Sequence, residues 1–329
     1  MEMKVTQENN RKRKGPLLYD YIRQRAESKQ LMGKNSTVDL YLAAGRHFYR
    51  FQRNKDIPIR DLTSTLLNDF QAYLQAKRLK INTINSYLSS LRAVYNAAFD
   101  EQPFEMRYHP FRKLKLKRDL TVKKPLSDQQ VKKMAIADFR DRPDLTLATD
   151  LALFSFMAYG MPFADMVRLT RKNIRGQAIV YNRHKTGIEI CIEITSGMWQ
   201  IIHKYESSER DYLFPVMFAS ATYRQYKGML SNHNSALKEV GRLLSISDNL
   251  TSYVMRYTWA SEARRLHVDI AVISQALGHT NEKTTRGYFN RMEQPELNEA
   301  NQKITDPISK ILINKQKGRG VFRMEGTYL

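Results

Sequence analysis

Cysteine is nearly absent. The one present in 329 residues, Cys191, excludes a disulfide scaffold and a zinc cluster built on cysteine. Histidine is scarce as well, and its seven copies are scattered, which argues against a histidine-ligated metal. No apolar run approaches the length that crosses a bilayer. The opening MEMKVTQENNRKRK lacks the apolar stretch of a signal peptide. The expectation is a cytoplasmic protein with no membrane partner. Glycine-rich phosphate loops, HExxH helices, paired cysteines and aspartate-rich metal sites are missing too. Neither a metal nor a small-molecule cofactor is therefore expected. There is no internal repeat and no low-complexity tract.

Acid is the other deficit. The chain has 33 Asp and Glu against 54 Lys and Arg, a formal net charge of +21. Such an excess points to a polyanionic partner, nucleic acid before an anionic membrane. The 42% of hydrophobic residues is ordinary and can bury a core. The length suits two domains. The charge is uneven: residues 1–126 hold 26 basic and 12 acidic side chains, and residues 127–329 hold 28 and 21. Arg11, Lys12, Arg13 and Lys14 mark a basic arm over 1–16. Arg112, Lys113, Lys115, Lys117, Arg118, Lys123 and Lys124 alternate with Leu114 and Leu116 and run up to Pro125. This reads as an extended basic linker over 112–126, between domains at 17–111 and 127–300, with a tail at 301–329.

The first domain reads as wholly helical. Ser36 can cap a helix with Val38, Tyr41, Gly45 and Phe48 on one stripe. Thr63 can cap a second, with Leu66, Leu67, Phe70, Tyr73 and Leu74 inward. Asn82 can cap a third, with Ile84, Leu88, Leu91, Tyr95 and Ala98 inward. The other face of that third helix carries Thr83, Asn85, Ser86, Ser89, Ser90, Arg92 and Asn96, with no acid. Hydroxyls and amides beside one cation can donate to phosphate oxygens. Contacts to double-stranded DNA are expected at Asn85, Ser89 and Arg92, and at Arg112, Lys113, Lys115 and Lys117 of the linker.

The second domain reads as mostly helical with one small β-hairpin. Ser127 and Gln130 form a capping box. Residues 144–159 are apolar almost all round, the mark of a buried helix. Gly160 and Pro162 stop it, and a short helix follows around Asp165 to Leu169. Ile188, Ile190, Ile192 and Ile194 then alternate with polar residues, the period of a half-buried strand. NRHKTG before that strand makes a hairpin with Lys185 near its tip. Helices follow at 197–206, 221–244, 252–266, 269–277 and 282–290.

Chemistry gathers near the end: Tyr253, Arg256, Tyr257, LGHT at 277–280 and TTRGYF at 284–289. Such a set can attack a phosphodiester without a metal. A tyrosine oxygen is the nucleophile and stores the broken bond as a phosphate ester. Cations spread the charge of the transition state, and a general acid protonates the leaving oxygen.

The stretch TSYVMRYTWASEARRLHVDIAVISQALGHTNEKTTRGYFNRM resembles the second catalytic box of the tyrosine recombinases, the phage-integrase family, in forms found in Bacteroides-type mobile elements. NTINSYLSSLRAVYNAAF resembles that family's core-binding, SAM-like domain. The resemblance spans roughly residues 17–300. It implies a mainly α fold: an N-terminal SAM-like bundle followed by a mostly helical catalytic domain with a small sheet. It implies Tyr288 as nucleophile, with Arg256 and His279 donating to the scissile phosphate. It implies Lys185 as the acid for the leaving 5′ oxygen and Asp165 as a supporting acid. Tyr253 stands where many members have histidine. A site-specific recombinase (integrase, transposase or invertase) acting as a homotetramer on bacterial nucleoid DNA is the implied function.

One family feature is missing. The first box usually carries an arginine beside its glycine, but here Tyr159 precedes Gly160, and Met161 and Pro162 follow it. Tyr159 is taken as that position. Arg168, Arg171 or Arg175 would have to substitute, or Tyr159→Arg should speed cleavage. Two alternatives stay open: a recombinase-like DNA-binding protein that cleaves poorly, and a type IB topoisomerase.

Overall fold

The computed structural model describes residues 16–101, 109–114, 119, 124–246 and 249–286. The chain divides into two compact units, Met1–Thr121 and Val122–Leu329, so the break falls inside the expected basic linker.

The described part of the first unit is built on four helices: α1 (Leu18–Leu31), α2 (Asn35–Phe51), α3 (Ser64–Ala76) and α4 (Ile81–Glu101). Phe48, Leu67, Phe70, Leu74, Leu88 and Leu91 meet in its core. Each such side chain, fully buried, contributes roughly 1.5–3 kcal/mol. Thr63 caps α3 as expected, accepting from the Leu66 N–H at 3.1 Å. Two other expected caps shift. Helix α2 begins at Asn35, so Ser36 lies inside it. Helix α4 begins at Ile81, and Asn82 instead grips the backbone of Asp119: its amide donates to the carbonyl at 3.0 Å and its oxygen accepts from the N–H at 3.2 Å. Helix α1 was not foreseen. It buries only Leu18, Tyr21, Ile22 and Ala26 in an otherwise polar run, and no side chain caps its start. Its tertiary ties replace a cap: the N–H of Tyr19 donates to Asp56 at 2.9 Å, and Tyr21 and Arg25 both donate to Glu101.

In the second unit, α5 (Asp128–Ile136) opens with the expected Ser127–Gln130 capping box. The apolar α6 (Pro143–Met157) runs through the centre of the unit. The short α7 (Phe163–Met166) follows the Gly160–Pro162 turn. An antiparallel sheet of β1 (Ile174–Arg175), β2 (Ala178–Asn182) and β3 (Glu189–Glu193) pairs in the order 1-2-3. Ile190 and Ile192 face inward and Glu189, Cys191 and Glu193 outward, as the alternation requires. Helices α8 (Ser196–Lys204), α9 (Tyr223–Leu243), α10 (Val254–Arg265), α11 (Ile270–Ala276) and α12 (Glu282–Arg286) complete the described part.

Candidate functional site

Three segments far apart in sequence converge: the turn after α6, the β2–β3 hairpin, and α10 with the loop after α11. The turn is held by Ser155, whose Oγ donates to the Met161 carbonyl at 2.7 Å in the interior. Tyr159 and Gly160 both take positive φ, 56° and 65°. A β-carbon on Gly160 would lie 2.5 Å from the Cα of Arg256, so only glycine lets α10 approach this closely. Pro162 then starts α7, which carries Asp165 into the interior.

Arg256, on the first turn of α10, is 2% exposed despite its charge. Its Nη1 donates to the Gly160 carbonyl at 3.1 Å, and its Nη2 donates to the Leu277 carbonyl. The same Nη2 lies 3.2 Å from Nε2 of His279. The LGH sequence explains why His279 is there. Gly278 has φ 62°, its N–H donates to the Gln275 carbonyl, and the His279 N–H donates to the Ser274 carbonyl. Those are both bonds of a Schellman stop to α11, and they turn the chain so that the next side chain meets α10. The other ring nitrogen, Nδ1, is 2.8 Å from Oγ1 of buried Thr285, which fixes the ring plane.

The hairpin completes the centre. Beyond the Asn182–Glu189 pair, the Arg183 N–H donates to the Ile188 carbonyl and the Gly187 N–H returns to the Arg183 carbonyl. Asp165 receives this tip: Oδ1 accepts from the His184 N–H at 2.9 Å, and Oδ2 is 3.5 Å from Nε of Arg183. Arg183 is 6% exposed, and its Nη1 donates to the Leu277 carbonyl, the oxygen that Arg256 also uses. Thr186 adds a second tie, its hydroxyl donating to the Gly278 carbonyl at 3.3 Å. Burial, and then the neighbouring Arg256, hold the Arg183 guanidinium below its ordinary pKa, while Asp165 opposes them. Burial and the Asp165 charge push the Tyr181 phenol well above its usual range.

Of the residues expected to act together, Arg256, His279 and Asp165 meet around this centre. Lys185 is exposed at the hairpin tip, between the two tied residues Arg183 and Thr186. Tyr253 precedes α10, is 38% exposed, and sets its ring edge-on to Tyr257 at 5.0 Å. Tyr288 lies outside the described residues. Tyr159 packs its half-buried ring against Trp259, 5.3 Å between centroids. Of the three arginines that could substitute, two are engaged elsewhere and the third is exposed. Arg168 donates to the Ala164 carbonyl and lies 4.8 Å over the Tyr226 ring. Arg171 pairs with Glu206 at 3.3 Å, and Arg175 is exposed on β1. The cation that does enter the centre, Arg183, was missed. Period-two alternation puts it on the inward face with Ile179 and Tyr181, which was a usable signal.

In the first unit, Asn85 and Ser89 line an open hollow of about 710 Å³ with Ser86, Ser90, Asn82 and the acid Asp119. Asn85 sits buried in it and Ser89 exposed on it. Arg92 turns inward instead. It lies 5.6 Å from the Phe111 ring and reaches the Phe111 and Leu114 carbonyls at 3.4 and 3.5 Å. Arg112 and Lys113 are exposed, while Lys115 and Lys117 lie outside the described residues.

Two family descriptions match the chain. Residues 17–116 match the phage integrase SAM-like domain, and residues 123–294 match the phage integrase family. Among curated proteins, the chain is 22% identical over 281 residues to the tyrosine recombinase XerD of Shewanella oneidensis, covering 83% of this chain and 91% of that one. It is 25% identical over 223 residues to the tyrosine recombinase XerA of Pyrococcus furiosus, covering 67% and 73%. Among solved structures, the Tn1549 transposon integrase in complex with transposon right end DNA superposes with a TM-score of 0.64 at 15% identity, covering 88% of this chain and 99% of that one. A lambda integrase dimer bound to a COC′ core site gives 0.61 at 14% identity, covering 88% and 83%.

Proposed function

The chain belongs to the phage integrase family, and from that premise we propose that it is a site-specific DNA recombinase cutting duplex DNA through a 3′-phosphotyrosine at Tyr288. The observation that carries the reading is the pairing of Arg256 with His279, both aimed by the backbone around Leu277. A guanidinium and an imidazole held side by side suit a phosphate whose charge grows in the transition state. Tyr288 follows nine residues after His279, and its phenol oxygen is the attacking atom. The P–O5′ bond breaks as the P–Oη bond forms; the phenol proton passes to solvent, and Lys185 Nζ gives the 5′ oxygen its proton. The ester conserves the bond energy, so a 5′ hydroxyl from another strand reverses the step and joins new partners. Exchange between two duplexes opens four strands, which calls for four protomers. The substrate is double-stranded DNA where the cell keeps it, on the bacterial nucleoid. The basic excess of both units supports that partner.

The test is a covalent trap. Duplexes selected by the full chain from a random library are nicked at successive positions, so the cleaved end diffuses away. A protein–DNA adduct should accumulate in EDTA and vanish in Tyr288→Phe. An adduct that survives this substitution, or forms only with added Mg²⁺, refutes the assignment. A chain that binds these duplexes and never links to them is the cleavage-impaired binder instead.

A further inference from the structure

We propose that Arg183 supplies the guanidinium that the first box lacks, with its Nη2 donating to a non-bridging oxygen of the scissile phosphate beside Arg256. The inference rests on the reading that the chain cleaves DNA through Tyr288.

Among the described residues, the buried charged groups number three: Asp165, Arg183 and Arg256. All three belong to one cluster, so the interior holds one more guanidinium than carboxylate. Two like charges driven onto one carbonyl oxygen repel, and each has also lost its hydration. Such an arrangement is stabilised by an anion arriving from outside, and a phosphodiester brings one negative charge to this place.

The contacts of Arg183 show which atom is kept for it. Nη1 is occupied by the Leu277 carbonyl. Nε faces Asp165 at 3.5 Å but is enclosed without a hydrogen bond. The carboxylate therefore steers the group without saturating it. Nη2 makes no hydrogen bond among the described residues, and it is not one of the sealed atoms. An arginine serving only as an ion-pair partner would direct its two-pronged edge at the carboxylate. Here the atom nearest Asp165 is Nε, which makes no hydrogen bond, and Nη1 is given to the carbonyl shared with Arg256.

Sequence neighbours fit the assignment. Gly278 clears the path, since a β-carbon there would meet the Cδ of Arg183 at 2.9 Å. Lys185, the acid for the leaving oxygen, sits two residues further along the same tip. A single hairpin thus carries both a charge-stabilising group and a proton donor. The hairpin tip supplies the guanidinium that the turn after α6 lacks.

The experiment uses the full chain and two versions of a nicked duplex that traps the native protein. One has an ordinary scissile phosphate, and the other has a methylphosphonate, which carries no negative charge on its non-bridging position. On the phosphate, Arg183→Ala should form adduct about a hundredfold to a thousandfold more slowly, with DNA affinity within threefold of native. On the methylphosphonate, the deficit relative to native should shrink at least tenfold, because there is less charge to neutralise. Arg175→Ala should match the native chain on both. If Arg183→Ala melts too low to assay, Arg183→Lys keeps the buried charge without the planar fork and is read on the same pair of substrates. An undiminished rate on phosphate overturns the role of Arg183 and leaves the recombinase reading intact. An equal deficit on both substrates also overturns it, because a purely structural arginine is indifferent to the charge of the phosphate. Failure of the native chain to link to any selected duplex overturns the recombinase reading, and this inference with it.

Discussion

A β-carbon on Gly278 would lie 2.9 Å from the Cδ of Arg183, a separation that real side chains do not show. The same glycine holds φ at 62°. Gly278→Ala must therefore strain the backbone and push Arg183 off the Leu277 carbonyl. The expected loss is about 1–3 kcal/mol of stability, read as a lowered urea midpoint. Adduct formation should fall further than that loss explains, with DNA affinity little changed.

Asp165 is the buried carboxylate beside Arg183. Asp165→Asn keeps an oxygen for the His184 N–H and removes the charge. A buried guanidinium left uncompensated costs about 3–5 kcal/mol. Denaturant unfolding should show a loss of that order, and Asp165→Asn/Arg183→Met should recover a large part of it. A double variant less stable than the single one would show that the pair is not coupled as described.

His233 on α9 stacks on Phe163, 4.6 Å between centroids, and its Nε2 is enclosed without a partner. Burial lowers its pKa from 6.5 to about 4. Between those values the unfolded chain takes up a proton that the folded chain refuses. This contribution to stability is fully present above pH 6.5 and is lost as the pH falls towards 4. The loss amounts to about 3 kcal/mol at most. His233→Phe keeps the stacking and removes the titration, so its melting temperature should fall less between pH 7 and pH 5 than the native value does.

Tyr159→Arg tests the first box directly. Read from sequence, that substitution restores a missing cation and speeds cleavage. The structure redirects the expectation, because the Tyr159 ring packs on Trp259 and Arg183 already occupies the centre. Adduct formation should be no faster than native, and the melting temperature should drop. A tenfold faster adduct would return the role to position 159.

DNA binding should be strongly salt-dependent, given the net charge of +21. Neutralising six to ten phosphates predicts roughly a thousandfold or greater loss of affinity between about 50 and 200 mM salt. Fluorescence anisotropy with a labelled duplex measures it, and a flat profile would remove the electrostatic basis of the interface. Ser89→Glu should weaken binding at every salt concentration. Arg92→Ala, whose cation is tied to the Phe111 and Leu114 carbonyls, should mainly lower the melting temperature of the first unit.

Most of the fold was legible because local chemistry and packing agree. Thr63, the Ser127–Gln130 box and the isoleucine alternation of β3 each name their own element. Helix α1 was hidden because its stabilisation comes from Asp56 and Glu101, 36 to 80 residues away. In the site, Arg256 and His279 were legible from a spaced motif. For Arg183 the alternation of β2 gave the inward face but not the target, which is a carbonyl 94 residues distant beside a glycine whose missing side chain leaves no mark of its purpose. Arg168, Arg171 and Arg175 are near the first box in sequence, whereas Arg183 is near it only in space.

The acceptor common to Arg183 and Arg256 is a main-chain oxygen. Replacing the Leu277 side chain leaves that atom where it is. The aiming point of both cations is therefore written in the path of the backbone, out of reach of any substitution that leaves that path unchanged. A site of this kind can do without an arginine at one position and take its charge from another segment, provided the new side chain reaches the same oxygen. Such a site drifts in its spelling while its target stays put.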